Sequence, residues 1–162
     1  FKKISTPIES GKTFKENSQI KSIYGMQKFK KLCFADDSGI CIDALNGLPG
    51  VNSKEFLNSK KDKYEVFKNI INETKNKKNY SAFFITTVCL SLNITQNIFF
   101  TGKITGNISE EIKGLDGFGY DPIFIPKGSK RTFAEMSLEE KNLFSHRSIA
   151  IKKLKKYLSK LV

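Results

Sequence analysis

The segment LCFADDSGICID, residues 32–43, sets two adjacent carboxylates, Asp36 and Asp37, between two apolar runs. Ser38 and Gly39 follow at once, and Asp, Ser and Gly are common turn formers. We therefore expect a turn at residues 36–39 with a strand on each side. Adjacent carboxylates repel each other unless a cation or a buried partner takes up their charge. They suit Mg²⁺, which binds through one or two carboxylates plus substrate phosphates; an acidic turn without a metal is the open alternative.

The composition predicts one globular domain. The chain has 162 residues, of which 39% are hydrophobic, and no apolar run approaches the roughly 20 residues of a membrane span. The three cysteines, Cys33, Cys41 and Cys89, lie in apolar runs without metal-binding spacing, which is typical of reduced core residues in a cytoplasmic protein. The net charge of +12 comes almost entirely from lysines. A nucleic-acid surface is one interpretation, but the lysines are spread along the chain, which favours a solvated surface.

Helix and strand patterns alternate along the chain. Thr13 and Glu16 have the spacing of a capping box at the start of a first helix that runs to about Lys30. A long apolar run at residues 80–92 predicts a central strand, and residues 97–108 predict a further strand with Gly102 and Gly106 at positions typical of bulges. A rough apolar face of the first helix is formed by Phe14, Ile20, Ile23 and Phe29, and one face of the last helix by Ile151, Leu154, Leu158 and Leu161.

A second dense segment is GLDGFGYDP, residues 114–122. Glycines allow a backbone to approach a ligand closely, and an aromatic ring held there, such as Phe118, can stack on a flat base. A loop whose aromatic rings fill the core is the alternative. The single histidine, His146, stands beside Arg147 at the predicted start of the last helix, where free backbone N–H groups and a guanidinium can act as donors.

Together these segments resemble the Ham1 family of inosine triphosphate pyrophosphatases, from Glu9 through the last helix. Each block alone is a weak signal, but their common order and spacing make a strong one. The matching blocks are Glu9–Asn17, Ala35–Gly39, Leu45–Gly50, Gly117–Pro122, Ala134–Ser137, Glu140–Asn142 and Ser145–Arg147.

The resemblance implies an α/β fold with an elongated mixed sheet flanked by helices and a nucleotide cleft between two lobes. It also implies a homodimer that hydrolyses ITP, dITP and XTP to the nucleoside monophosphate and pyrophosphate with Mg²⁺, and no membrane or nucleic-acid partner. A keto oxygen on the purine would be selected because an amino group would leave buried donors unpaired.

The resemblance also assigns roles by position. Asp37 would be the general base, and Glu9, Asp37 and Asp36 the metal-site carboxylates. Ser38 would contact phosphate. The remaining nucleotide contacts would be Lys21, Phe118, Gly119, Tyr120, Asp121, Lys141, His146 and Arg147, with the last two donating to the purine 6-oxo group.

Two departures from the family pattern stand out. Family members carry a strand and a triphosphate-gripping loop before the point where this sequence begins, so we expect residues 1–162 to be a single pyrophosphatase domain that lacks them. The segment Val51–Phe56 replaces a common Tyr-Ser-Ala-Arg pattern. A basic nucleic-acid-binding module with a nucleotide-binding-like fold is the alternative function, and a Nudix hydrolase is disfavoured because its glutamate-rich helix signature is absent.

Overall fold

The computed structural model describes residues 6–114 and 116–160. Within these ranges, strands β1 to β4 form one antiparallel sheet in chain order. The strands are Cys33–Ile42, Ser81–Ser91, Asn97–Ile108 and Phe124–Pro126. Helices α1 to α5 flank the sheet and are Phe14–Phe29, Ser53–Leu57, Lys63–Asn76, Leu138–Phe144 and His146–Leu158. The α/β class is confirmed, and the described strands pair without a parallel neighbour.

One strand, rather than two, carries residues 36–39. β1 runs unbroken for ten residues and pairs with β2 throughout, so the predicted turn was wrong. The long β-branched run of β2 offers a partner to every residue of β1, and the two carboxylates point to opposite faces and do not compete. Gly39 is needed for a different reason: a Cβ there would collide with the carbonyl of Gly50 and the ring of Phe14.

The two faces of the sheet carry different helices. Side chains alternate along a strand, so the odd-numbered residues of β1 face α1, whereas the even-numbered residues face α5. Two apolar clusters lie on the α5 face, one around Ile40 and Phe84 and one around Val88 and Leu154. Between the two clusters, Ser38, Thr86 and Gly102 form one row of paired residues across the sheet. We call it the polar row, because none of its residues has an apolar side chain.

Gly102 lets α5 approach the sheet. No bulge interrupts β3, because its register with β2 is continuous through Gly102 and Gly106; the expected bulges were wrong. A Cβ at Gly102 would instead collide with the backbone of His146 and Ala150. Because Gly102 has no side chain, the first turn of α5 lies directly against the polar row.

Helix α1 buries its small polar residues rather than its apolar ones. The capping box of Thr13 and Glu16 is present as predicted. Buried Ser22 donates to the carbonyl of Cys33 at 2.8 Å, whereas Phe29 is exposed. Small side chains allow the helix to lie close to the sheet, and their hydroxyl groups find backbone acceptors. In α5, Leu154 is buried as predicted, but Leu161 lies outside the described residues.

Cys33, Cys41 and Cys89 are free thiols, and burial raises the pKa of Cys41 and Cys89. Over the described parts of the chain, no helix has the length and apolar character needed to cross a bilayer.

Candidate active site

Asp37 lines an acidic cavity beside β1 and contacts Lys21 of α1 there. Its side chain is almost inaccessible, and its Oδ1 accepts a hydrogen bond of 2.7 Å from Lys21 Nζ. The same ammonium lies 3.3 Å from Glu9 Oε2. The other oxygen, Asp37 Oδ2, is buried without a hydrogen-bond partner among the described residues. A buried acceptor without a donor is costly, so this oxygen is suited to a bound cation or a water molecule.

Four carboxylates and three cations line this cavity. Burial raises the pKa of Asp37, and Lys21 opposes that rise. The cavity has a volume of about 280 Å³, and Asp36, Ser38, Lys54, Glu55 and Arg147 also line it. In residues 6–114 and 116–160, no three His, Cys, Asp or Glu side chains converge as a complete metal site. Glu9 and Asp37 are nevertheless enough for Mg²⁺, which takes few protein carboxylates when phosphates supply the other ligands.

Asp36 faces the other side of the sheet from Asp37. Its Oδ2 accepts from Arg147 Nη2 at 3.1 Å and from Nε at 3.3 Å. Ser38 Oγ donates to the same oxygen at 2.9 Å and lies 2.8 Å from Thr86 Oγ1. The two adjacent aspartates thus contact different helices, because Lys21 belongs to α1 and Arg147 to α5.

Phe118 stands between two larger cavities. These have volumes of about 550 and 410 Å³, and both are lined by Phe118, His146 and Arg147. The ring is 61% exposed, and it is carried between Gly117 and Gly119, both with positive φ, which glycine adopts without strain. Lys141 Nζ and the Arg147 guanidinium lie 5.2 and 5.5 Å from the ring centroid. An exposed ring beside two cations is suited to stack on an electron-rich base.

The residues after Phe118 support its loop. Asp121 is buried and accepts from Lys141 Nζ at 2.5 Å and from the backbone N–H of Phe118 at 2.8 Å. Tyr120 is also buried, and its hydroxyl donates to the carbonyl of Ser53 at 2.8 Å. Burial raises the pKa of Tyr120, which keeps this hydroxyl protonated. Asp121 and Tyr120 therefore fix the loop, while Phe118 and Gly119 face the cavities.

His146 begins α5 directly after its N-cap, Ser145. Its ring stacks on Phe84 with centroids 4.8 Å apart and planes 9° from parallel. Burial, and then the charge of Arg147, lower its pKa to about 4, so the imidazole is neutral at pH 7. Its Nδ1 is buried without a hydrogen-bond partner within the described ranges. A neutral imidazole can donate one hydrogen bond to a ligand and accept another.

Several residues at the site could not be identified from the sequence. Phe84 and Gly102 lie within strands, and only the tertiary structure shows that they meet α5. Thr86, two residues after Phe84 in β2, contacts Ser38. Lys54 lines both the acidic cavity and the 410 Å³ cavity. Its position soon after the glycine- and proline-containing segment Leu45–Gly50 was the one available signal in the sequence.

The sequence and the fold are both similar to those of known proteins. The sequence matches the Ham1 family over residues 1–157. A protein of Christiangramia forsetii named dITP/XTP pyrophosphatase is 42% identical over 152 residues, covering 94% of this chain and 80% of that protein. A protein of the same name from Bacillus subtilis is 40% identical over 152 residues, covering 93% and 77%.

Solved structures of the same kind also superpose well. The Ham1 protein of Staphylococcus aureus has a TM-score of 0.87 and 34% identity, covering 96% of this chain and 81% of that one. A HAM1 protein from Coxiella burnetii has a TM-score of 0.89 and 33% identity, with coverage of 96% and 81%.

Proposed function

The chain belongs to the Ham1 family, and from that premise we propose how its residues carry out the reaction. The protein is a nucleoside triphosphate pyrophosphatase that hydrolyses non-canonical purine nucleoside triphosphates. The products are the nucleoside monophosphate and pyrophosphate. The residue assignment rests on three residues that line two neighbouring cavities. Ser38, Lys54 and Arg147 line both the acidic cavity and the neighbouring 410 Å³ cavity, so one nucleotide can place its phosphates in the first and its base in the second.

The acidic cavity would hold the metal. Hydrolases of this family generally need a divalent metal ion, and we propose Mg²⁺, held by Glu9 and Asp37. The unpartnered Asp37 Oδ2 fits a hard cation. When bound, Mg²⁺ neutralises phosphate charge and orients the triphosphate. The resemblance also assigns Asp36 to the metal. The observed hydrogen bonds of Asp36 are instead with Ser38 and Arg147, next to the proposed pocket for the purine base.

Asp37 would also act as the general base. A carboxylate beside the α-phosphate can accept the proton of the attacking water as the new P–O bond forms and pyrophosphate leaves. Lys21 already contacts Asp37 and Glu9, and it would donate to the phosphates once a cation takes over those carboxylates. Ser38 would add a hydroxyl contact to phosphate.

The base would stack on Phe118 beside Gly119, in the loop fixed by Tyr120 and Asp121. His146 and Arg147 would donate to the purine 6-oxo oxygen, and Lys141 would add positive charge at this edge. A 6-amino group has no lone pair for these donors, so adenine nucleotides would leave them unpaired and bind poorly.

Pyrophosphate release tests this assignment. The full-length protein is assayed with Mg²⁺ on ITP and XTP against GTP and ATP, together with Asp37→Asn and with Asp43→Asn as a control in the exposed turn after β1. We expect turnover of ITP and XTP that the first variant loses and the control keeps. Equal rates on all four nucleotides would refute the roles of His146 and Arg147. No turnover, with salt-sensitive binding to RNA or DNA, would support the disfavoured nucleic-acid alternative.

Assembly and location complete the proposal. We propose a cytoplasmic homodimer on the strength of the family membership alone. Light scattering coupled to gel filtration tests the dimer: a single species of monomer mass at assay concentration would refute it.

A further inference from the structure

The alternation of β1 divides its two aspartates between the two ends of the site. Asp37 faces α1 and meets Lys21, whereas Asp36 faces α5 and meets Arg147. Asp36 and Arg147 are 111 residues apart in sequence, so the fold itself creates this contact. The hydrogen bonds to Asp36 go to Oδ2 from a guanidinium and a hydroxyl, whereas the metal-site candidates Glu9 and Asp37 share Lys21.

Asp36 holds Arg147 from one side. The Nε and Nη2 atoms of Arg147 lie 3.3 and 3.1 Å from Asp36 Oδ2, and Nη2 also lies 3.3 Å from Ser38 Oγ. A guanidinium has five N–H donors. Nε and Nη2 supply these bonds, so within the described part of the chain the two donors on Nη1 are left for a ligand. Thr86 fixes Ser38 from the central strand at 2.8 Å, and the arrangement thus rests on two strands.

Stability does not account for this pair. The side chains of Arg147 and Asp36 are 44% and 39% exposed, and ion pairs at such positions contribute little to folding. A long arginine side chain loses conformational entropy when it binds a ligand. An anchor that restrains the guanidinium beforehand reduces that loss and fixes the direction of the free donors.

We propose that Asp36 is a positioning residue for base recognition: it anchors the Arg147 guanidinium beside Phe118 and thereby sets the discrimination between 6-oxo and 6-amino purines. This inference deepens the proposed function and rests on it. Asp36 acts through Arg147 and does not ligate the metal. The same strand consequently carries the base-recognition anchor and the metal carboxylate on consecutive residues.

The test separates base discrimination from metal affinity. For Asp36→Asn and Asp36→Ala, we measure kcat/KM for dITP and dATP, and Mn²⁺ affinity without nucleotide by electron paramagnetic resonance. We expect the dITP/dATP ratio to fall by about tenfold or more, the effect of losing one charged hydrogen bond. Mn²⁺ affinity should change by less than about twofold. A tenfold loss of Mn²⁺ affinity with an unchanged ratio would overturn the proposal and make Asp36 a metal ligand.

Glu73→Gln is the matched control. Glu73 forms an exposed ion pair with Lys77, and its substitution changes the net charge by the same amount as Asp36→Asn. A similar fall of the ratio in this control would assign the effect to net charge and overturn the proposal. If the wild-type protein hydrolyses no nucleotide, the proposed function fails. The inference is then judged on calorimetric binding of dIMP against dAMP, where an unchanged preference in Asp36→Asn refutes it.

Discussion

His146 should make the stability of this protein depend on pH in a predictable way. Burial and the neighbouring charges of Arg147 and Lys141 lower its pKa from 6.5 to about 4, against the opposing effect of Asp36. In the unfolded chain the imidazole takes up a proton near pH 6.5. Between these values the unfolded state therefore binds more protons than the folded state, and stability falls as the pH falls.

The magnitude follows from the two pKa values. Full protonation of the unfolded state against a neutral native imidazole costs about 3 kcal/mol. At about pH 5.5 the loss is about 1.4 kcal/mol, and above about pH 7.5 it vanishes. The sequence contains a single histidine, so no other imidazole contributes in this interval.

Urea unfolding of the wild type and of His146→Gln isolates this contribution. The free energies of unfolding are compared at about pH 7.5 and about pH 5.5, and carboxylates common to both proteins cancel in the difference. Relative to the variant, the wild type should lose about 1.4 kcal/mol between these two pH values. A difference between the two proteins that does not change with pH would refute the buried, neutral imidazole. So would a titration of the single imidazole C2–H resonance with a midpoint near pH 6.5.

Three further substitutions test the packing around the site. Lys21→Met should lower the free energy of unfolding by about 3 kcal/mol, because buried Asp37 loses its counter-charge; added Mn²⁺ should recover part of that loss in urea melts. Gly102→Ala should cost about 2 kcal/mol or more, since α5 must move off β3, and its KM for dITP should rise with it; an unchanged melting curve would contradict the close approach. Phe118→Ala should raise KM for dITP by about tenfold, the contribution of one stacked base, while its thermal unfolding stays the same because the ring is exposed.

Much of the local structure could be read from the sequence. The capping box at Thr13 marks a helix start that the structure contains. The apolar run at residues 80–92 became the central strand β2. Caps and strand runs are short-range signals, since a helix start depends on residues within one turn and a buried strand on its own apolar content.

The failures have one cause in common. Residues 36–39 have the composition of a turn, yet a strand runs through them because β2 supplies a partner along its whole length. The apolar residues of α1 did not predict its buried face, because small polar residues allowed closer packing. In each case a long-range contact outweighed a local preference.

The sequence by itself determined the chemical inventory: adjacent aspartates, a glycine-flanked phenylalanine, and histidine beside arginine at a helix start. Only the tertiary structure decided how these groups are divided. The alternation of β1 sends Asp37 towards Lys21 and Asp36 towards Arg147, and the bare backbone at Gly102 brings α5 onto the sheet. A strand fixes the direction of each side chain only once its pairing and the helices on its faces are set, and those depend on residues far away in the sequence.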